Sequence, residues 1–476
     1  MGSGTLERPG CVIDRRDILE AASSFSLLPS VVEKDYVLGW VLAGINAHED
    51  LAESWVFKGG TCLKKCYFET YRFSEDLDFT LRDESHIDEE FLRETFKEVV
   101  SWVAEQSGLN MPADQLSFDI YENPRGRMNC QGKIAYRGPV SPTGGGWPKI
   151  KLDLTADERL VLPAARREIF HPYTDRPEGG LWANCYAYEE AFGEKLRALG
   201  ERTRPRDLYD VVNLYRHTDT RPTAAVLRDV LHQKCEYKSI PVPTMEVLAR
   251  HRDDLTAMWS DMLGHQLPVL PPLNDFWDAL PEIFAWLTGA AEAPQRAIIQ
   301  HGAGEVAVRT RVLPMGVPGR SRSTLEIIRF AAANYLCVDL TYDGSVRRIE
   351  PYSLRQTLEG NFVLHAIRID SGEHRSYRVD RVQSAAVTAQ VFTPRYVVEL
   401  SSTGPLTVAS STAMPRIAPI RRAARARRQG PTYVYRCTVC RKTFNRSSMD
   451  GTLNPHKNPR GYPCPGRTGV YVRTKY

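Results

Sequence analysis

The stretches Phe57–Thr61, with the sequence FKGGT, and Arg72–Phe79, with the sequence RFSEDLDF, decide the fold prediction. The residues from Trp55 to Phe57 read as a short apolar strand that enters a glycine turn, and Thr61 opens a helical stretch. Glycines at such a turn let backbone N–H groups approach an anion at the start of a helix, where the partial positive charge favours phosphate. The turn is therefore a candidate phosphate-binding site.

The second stretch alternates polar and apolar residues, which predicts a strand with Asp76 and Asp78 on one face and apolar side chains behind them. Two aspartates placed in this way can hold one or two Mg2+ ions. A further strand, predicted from Lys149 to Thr155, repeats the alternation and can supply a third carboxylate from Asp153. Taken alone, a Gly-Gly-Thr turn or an Asp-x-Asp strand is more often structural. Their order and spacing favour a functional site.

The order of these motifs resembles the DNA polymerase β-type nucleotidyltransferase superfamily. Fifteen residues separate the glycine pair from Asp76, slightly more than is usual in that superfamily, and the third aspartate strand follows later. The resemblance implies an α/β (α+β) catalytic domain with a helical C-terminal part.

A second region narrows the resemblance. It contains a Glu-Lys pair, Glu194-Lys195, and then Arg206-Asp207-Leu208-Tyr209-Asp210, on two helical stretches joined by Thr203–Pro205. The apolar stripes of these helices are expected to pack together and to leave Lys195 facing the site. With the glycine turn and Ser74-x-Asp-x-Asp, this combination resembles the AbiEii/AbiGii toxin family of nucleotidyltransferases over roughly residues 15–290.

The resemblance implies attack on the α-phosphate of an NTP, release of pyrophosphate, and attachment of the nucleotide to an RNA or protein hydroxyl; tRNA 3′ ends are known acceptors in the family. It implies an Mg2+ site at Asp76 and Asp78, and a lysine, Lys195, that neutralises phosphate charge. The essential aspartate of the last motif falls at Asp207 or Asp210, and Asp207 can alternatively cap its helix. Asp153 matches the third carboxylate of the superfamily. The implied nucleotide-binding set is Lys58, Gly59, Gly60, Thr61, Ser74, Lys195 and Arg202.

After a Gly-, Pro- and Ser-rich segment the pattern becomes mostly β, with strands predicted at Cys337–Tyr342, Phe362–Ile369 and Tyr396–Leu400. This part resembles the WYL domain, a small Sm-like β-barrel, with Phe362-Val363-Leu364 where the Trp-Tyr-Leu of the name would stand. The resemblance implies a nucleic-acid or nucleotide ligand for Tyr352, Arg355, Tyr377, Arg378 and Arg381. In the alternative interpretation Tyr377 packs inside the barrel and the arginines are surface charges.

The last part of the chain contains a candidate Zn2+ site with four ligands: Cys437, Cys440, His456 and Cys464. A Cys3His site of this kind can fold a short module that lacks a large core, and with every position filled it is structural. Aromatic residues lie among arginines and lysines in this segment, which is typical of nucleic-acid binding. These aromatic residues are Tyr433, Tyr435, Phe444 and Tyr462.

The charge is distributed unevenly. From Arg416 to Tyr476 there are fifteen Lys and Arg residues and one acidic residue, Asp450, whereas the preceding part is acidic overall. A basic tail favours nucleic acid, because neutralising phosphates releases counterions; incidental charge on a solvated tail is the alternative. We predict four segments: 1–298, the catalytic domain; 299–405, the WYL-like barrel; 406–431, a basic linker; and 432–476, the zinc module.

The N-terminal residues include Glu7, Arg8 and Asp14, which do not fit a secretory signal, and no apolar run reaches the length of a membrane span. We therefore expect a cytoplasmic protein. The first functional hypothesis is an Mg2+- and NTP-dependent toxin or phage-defence effector that modifies RNA, with tRNA as the expected acceptor, and is restrained by a cognate antitoxin. The second is a nucleic-acid sensor with a vestigial catalytic domain. A small-molecule adenylyltransferase is the third.

Overall fold

The structure is a computed structural model that describes residues 13–25, 27–68, 72–142, 144–177, 179–308, 319–401, 432–446, 448–458 and 463–475. The described residues up to 401 belong to one compact unit, and those from 432 onwards belong to a second. The predicted linker 406–431 lies outside the described residues.

The first part of the large unit is a mixed sheet with helices. Its elements are α1 (Arg15–Phe25), α2 (Pro29–Ala47), α3 (Glu49–Ser54), β1 (Trp55–Lys58), α4 (Gly59–Cys62), β2 (Asp76–Leu81), α5 (Glu89–Ser107), β3 (Ser117–Glu122), β4 (Met128–Ala135), β5 (Lys149–Thr155), β6 (Ala165–Glu168) and β7 (Trp182–Cys185). The strand order is β3-β4-β5-β2-β1-β7-β6, so β2 lies at the centre of the sheet. The strands predicted at Trp55–Phe57 and Lys149–Thr155 are confirmed.

Helices dominate the next part of the chain. They are α6 (Tyr188–Arg202), α7 (Pro205–Arg216), α8 (Ala224–Lys238), α9 (Met245–Ala249), α10 (Arg252–Leu263), α11 (Leu273–Trp277) and α12 (Leu280–Thr288). The chain turns between α6 and α7 at Thr203, which has a left-handed φ of 43°, and Pro205 then opens α7. Proline suits the first turn of a helix because its missing N–H would have no partner there. The short turn places α6 and α7 side by side.

The end of the large unit is rich in β-strands. We call residues 319–401, together with the short strand that precedes them, the β-rich region. It contains β8 (Val306–Ala307), α13 (Gly319–Ala333), β9 (Leu336–Tyr342), β10 (Ser345–Gln356), β11 (Phe362–Arg368), β12 (His374–Arg378) and β13 (Val382–Val391). The antiparallel order is β12-β11-β10-β9-β13. Tyr342 on β9 and Tyr377 on β12 have ring centroids 5.2 Å apart although two strands lie between theirs, so the sheet curls on itself.

The strand predicted at Tyr396–Leu400 is wrong. These residues form a bend and then a 3-10 turn, Glu399–Ser401. Val398 and Leu400 are buried, and the Val397 N–H donates to Ala297 O at 2.9 Å. The alternation of apolar residues here reflects packing of a loop against the unit, which produces the same pattern as a strand with one buried face.

The small C-terminal unit contains β14 (Thr432–Cys437), β15 (Thr443–Arg446), β16 (His456–Lys457), β17 (Pro463–Cys464) and β18 (Gly469–Lys475). Its main sheet has the order β15-β14-β18, and its core consists of Tyr435, Leu453 and the cysteines Cys437 and Cys464. The predicted fold class is therefore confirmed: a mixed α/β part with a helical second half, a small curled sheet, and a short C-terminal module. Among the described helices, none is long and apolar enough to cross a membrane.

Candidate active site

Three strands bring together the first site residues. On β1 and β2, Lys58 pairs in register with Asp78, and on the neighbouring parallel strand β5 Asp153 pairs with Asp78 in turn. Asp76 lies two residues before Asp78 and so on the same face of β2. The structure thus brings Lys58, Asp76, Asp78 and Asp153 onto one face at the centre of the sheet.

The carboxylates of this row repel one another. Burial, followed by repulsion from Asp153, raises the pKa of Asp78 to about 6, although Lys58 and Lys195 act in the opposite direction. Burial and repulsion from Asp76 likewise raise the pKa of Asp153. Crowded oxygen ligands of this kind fit a divalent cation such as Mg2+, because the cation removes the repulsion that the three carboxylates otherwise exert.

The glycine turn lies directly against these residues. Gly59 has φ of 80°, in the left-handed region that favours glycine, and a Cβ atom there would overlap the Asp78 carboxylate. A Cβ atom on Gly60 would overlap the Arg72 guanidinium. The Thr61 hydroxyl donates to Asp76 O at 2.6 Å and ties the start of α4 to β2. Both glycines are therefore required by close approach of charged side chains.

Helix α7 provides two further carboxylates, both buried. Lys195 Nζ lies 2.6 Å from Asp210 Oδ2 and 3.4 Å from Asp207 Oδ1, so the lysine that was expected to face the site is held by both aspartates. Arg202 grips Asp207 through two hydrogen bonds of 2.7 and 3.0 Å. Asp207 thus has two cationic partners, which explains its place near the start of α7 without a capping role.

Sequence reasoning missed the main partner of Asp210. Arg72 donates to both Asp210 oxygens at 2.8 Å and to Gln266 Oε1 at 3.0 Å, and its side chain is 2% exposed. Burial opposes ionisation of Asp210, but Arg72 and Lys195 outweigh it and hold the pKa of Asp210 well below its usual range. The position of Arg72, two residues before Ser74-x-Asp-x-Asp, is the one local signal that marks it.

Other residues at the site have more peripheral places. Ser74 is half-buried in the loop that enters β2. Lys58 Nζ lies 3.7 Å from Glu158 Oε1, a partner that sequence reasoning also missed. Arg206, the second residue of α7, is half-buried and donates to Met262 O at 3.4 Å. Burial and repulsion from Arg72 lower the pKa of Arg206. Attraction by Asp76 and Asp210 acts in the opposite direction but is the smaller effect.

Three cysteines meet beneath the glycine turn. Candidate ligand atoms of Cys62, Cys66 and Cys185 all lie within 4.8 Å of one another, and all three residues are buried. Burial raises the pKa of the Cys62 and Cys185 thiols well above the usual value. All three side chains belong to the hydrophobic core of the unit.

The four ligands predicted for zinc meet in the C-terminal unit. Their ligand atoms lie within 4.8 Å of one another, with Cys440 Sγ 3.3 Å from His456 Nε2 and Cys437 Sγ 3.9 Å from Cys464 Sγ. His456 Nδ1 lies 2.9 Å from Asn454 O, and that hydrogen bond leaves Nε2 directed at the sulfurs. This is the ligand type, number and orientation that Zn2+ requires.

The residues predicted to bind a ligand in the β-rich region divide into two groups. Tyr352, Arg355 and Tyr377 are buried; Tyr352 donates to Glu350 Oε2 at 2.8 Å, and Arg355 lies 2.5 Å from Glu399 Oε2. Arg378, paired with Asp380 at 2.7 Å, and the exposed Arg381 lie nearer solvent. The two groups do not form one open surface.

A known protein family matches the part of the chain that contains the candidate active site. Residues 40–282 match the family described as nucleotidyl transferase AbiEii toxin, type IV TA system. Among solved structures, the chain is similar to MenT4, a nucleotidyltransferase toxin from Mycobacterium tuberculosis H37Rv, with 20% identity and a TM-score of 0.36, over 58% of this chain and 89% of that chain. Comparison with curated proteins gave no match.

Proposed function

Because this chain belongs to the AbiEii family of nucleotidyltransferase toxins, we propose that it transfers a nucleotide from an NTP to an RNA hydroxyl, with tRNA as the acceptor. The observation that carries the proposal is the row of Lys58, Asp78 and Asp153 across three adjacent strands, with Asp76 on the same face. The family is one of type IV toxin–antitoxin systems, so a cognate antitoxin is implied. Since NTPs and tRNA are the substrates, we place the activity in the cytoplasm.

In the proposed reaction, an acceptor hydroxyl oxygen forms a bond to the α-phosphorus while the bond from that phosphorus to the pyrophosphate oxygen breaks. The hydroxyl proton passes to Asp153, the carboxylate that pairs in register with Asp78 from the neighbouring strand β5. Pyrophosphate leaves with the electron pair of the broken bond. Asp76 and Asp78 would hold Mg2+, which supplies charge neutralisation at the phosphates when bound.

Cations on α6 and in the loop before β2 favour the anionic substrate. The cluster of Asp207 and Asp210 carries two negative charges, and Arg72, Arg202 and Lys195 carry three positive ones. The surplus positive charge lies near Asp78, whose pKa Lys195 lowers. We infer that Lys195 stabilises the phosphate charge that develops during transfer, and that Arg202 assists at longer range. Gly60, Thr61 and Ser74 would cradle the triphosphate.

The C-terminal unit supplies the RNA contact in this proposal. Tyr435 packs in the core of the unit, Tyr462 lies outside the described residues, and Tyr471 on β18 is 44% exposed, two residues before the exposed Arg473. An exposed aromatic ring next to cations suits base stacking and phosphate contact. We infer that bound Zn2+ at Cys437, Cys440, His456 and Cys464 folds this surface. The proposal also includes the resemblance of the β-rich region to the WYL domain. In that region, Arg378 and Arg381 are the accessible candidates for binding an anionic ligand.

The competing function is a sensor in which the catalytic site is vestigial. Asp76, Asp78 and Asp153 repel one another, so loss of any one would stabilise a protein that no longer needed them. The chain retains all three, which favours an active enzyme. A small-molecule adenylyltransferase would use the same site but leaves the basic C-terminal unit without a role.

The experiment incubates the purified protein with total bacterial RNA, Mg2+ and each α-labelled NTP in turn. Label in a tRNA-sized band supports the proposal and identifies the nucleotide. Tight RNA binding without label favours the sensor, and label on a small alcohol or amine in RNA-free reactions favours the adenylyltransferase. Asp119→Ala, which removes an exposed aspartate on β3, is the matched control for Asp76→Ala and is expected to keep activity.

A further inference from the structure

Helix α7 connects the candidate active site with the β-rich region. Its first half carries Asp207 and Asp210, and its last residue, Arg216, lies over the ring of Tyr335 with the guanidinium carbon 4.1 Å from the ring centroid. On the same helix, Tyr209 is fully buried and interacts with the side chain of Asn334, whose amide donates to Phe330 O at 2.9 Å. Asn334 and Tyr335 form the turn between α13 and β9. One rigid helix therefore contacts both places.

The turn is held in an unfavourable conformation. Tyr335 has φ of 55°, a left-handed value that costs a residue with a side chain about 1 kcal/mol or more. Such a conformation persists only where the surroundings hold it. Tyr335 O accepts from the Phe392 N–H at 2.8 Å, and its ring packs 5.8 Å from that of Phe392. The β-rich region thus fixes Tyr335, and Arg216 packs against its ring.

We propose that Asn334 and Tyr335 are positioning residues for nucleotidyl transfer, and that the β-rich region sets the placement of α7 and hence of Lys195. The inference rests on the proposed function. The helix spans twelve residues, so its two ends lie about 16 Å apart and a tilt at Arg216 moves Asp207 and Asp210 together. These aspartates hold Lys195. A displacement of about 1 Å at a reacting centre can lower a rate about a hundredfold.

The aromatic contacts continue into the curled sheet. The Phe392 ring lies 5.6 Å from that of Tyr352 on β10, one of the residues predicted to contact a ligand. Contacts between neighbouring rings therefore run from Tyr352 through Phe392 and Tyr335 to Arg216. The support of α7 therefore extends from the turn at Asn334 and Tyr335 to the buried ring of Tyr352 in the curled sheet.

The test compares Tyr335→Ala with Tyr335→Phe, which keeps the ring face that Arg216 contacts. Tyr342→Ala is the matched control. Tyr342 is the last residue of β9, and its partners belong to the β-rich region: the Arg347 guanidinium carbon lies 5.5 Å from its ring centroid and the Tyr377 ring centroid lies 5.2 Å away. Two quantities are measured on full-length protein: kcat and KM for label transfer from NTP to bacterial RNA, and hydrogen exchange of residues 205–216.

Tyr335→Ala is expected to lower kcat by about ten- to a hundredfold with KM for the NTP within about twofold, and to speed exchange in α7. Tyr335→Phe and Tyr342→Ala are expected to match the wild type in both. Unchanged exchange of residues 205–216 in Tyr335→Ala overturns the inference whatever the acceptor is. A wild type that labels no RNA overturns the proposed acceptor instead, and the exchange result still decides the role of Tyr335.

Discussion

The Nζ atom of Lys195 lies 2.6 Å from the Oδ2 atom of Asp210, and Asp210 is in turn gripped on both oxygens by Arg72. The lysine expected to meet the substrate is thus fixed by a carboxylate that another cation already neutralises. The ammonium group of Lys195 is therefore held between two carboxylates on α7. Asp210 acts through Lys195, and Asp207 supports it from a second side.

The buried pair of Arg72 and Asp210 is expected to dominate local stability. Arg72→Met removes both hydrogen bonds to Asp210 and leaves that buried charge without its main partner, so we expect a loss of about 3–5 kcal/mol in the free energy of unfolding. Urea denaturation measures it. Arg206→Met is the matched control on a half-buried arginine, with an expected loss below about 1.5 kcal/mol. Equal losses in the two variants would refute a special role for the pair.

Asp78 is expected to destabilise the metal-free protein at neutral pH. Its pKa of about 6 in the folded state lies above the usual 3.8, so ionisation costs folding free energy above pH 6, and the cost disappears as the pH falls toward 3.8. Asp78→Asn should therefore raise stability at pH 7.5 by about 1–3 kcal/mol. The gain should be smaller at pH 4.5. Urea denaturation in chelator at both pH values tests this, and a gain independent of pH would contradict it.

Gly59 is expected to tolerate no side chain. In Gly59→Ala the new Cβ overlaps the Asp78 carboxylate, so we expect label transfer to fall by about a hundredfold. Gly126→Ala is the matched control: Gly126 also has a positive φ, 77°, but its Cβ would meet Glu122 Oε1 at an ordinary 3.6 Å. If Gly59→Ala and Gly126→Ala had similar activity, the loss in Gly59→Ala would reflect backbone strain and not displacement of Asp78.

The C-terminal unit is expected to hold one Zn2+ per chain. Elemental analysis should give one zinc for the wild type and none for Cys464→Ala, whereas Cys235→Ala, outside both cysteine clusters, should retain the metal. The buried cluster of Cys62, Cys66 and Cys185 is expected to hold none, because it offers three candidate ligands among the described residues where a structural Zn2+ site takes four. A content of two per chain, or zinc retained in Cys464→Ala, would contradict this assignment.

The sequence allowed prediction of the parts of the site that depend on local pattern. β5 was predicted with its observed bounds, Lys149–Thr155, because alternation with period two records one buried face. The same rule failed at Tyr396–Leu400, where a loop packs alternate residues into the unit. Cys437, Cys440, His456 and Cys464 converge as their spacing predicts.

Long-range partners could not be predicted in this way. Arg72 and Asp210 are separated by 138 residues, and Arg72 and Gln266 by 194. Nothing in the local sequence states that an arginine before β2 will neutralise an aspartate on α7. The contact of Arg216 with Tyr335 depends likewise on how two separate parts of the chain pack together.

The first measurement is the rate of label transfer from α-labelled NTP to RNA in saturating Mg2+, for the wild type, Asp76→Ala and the control Asp119→Ala. If Asp76 holds the catalytic cation, Asp76→Ala loses Mg2+-dependent transfer while Asp119→Ala keeps the rate of the wild type. Undiminished transfer in Asp76→Ala would remove Asp76 from the metal site and contradict the proposed mechanism.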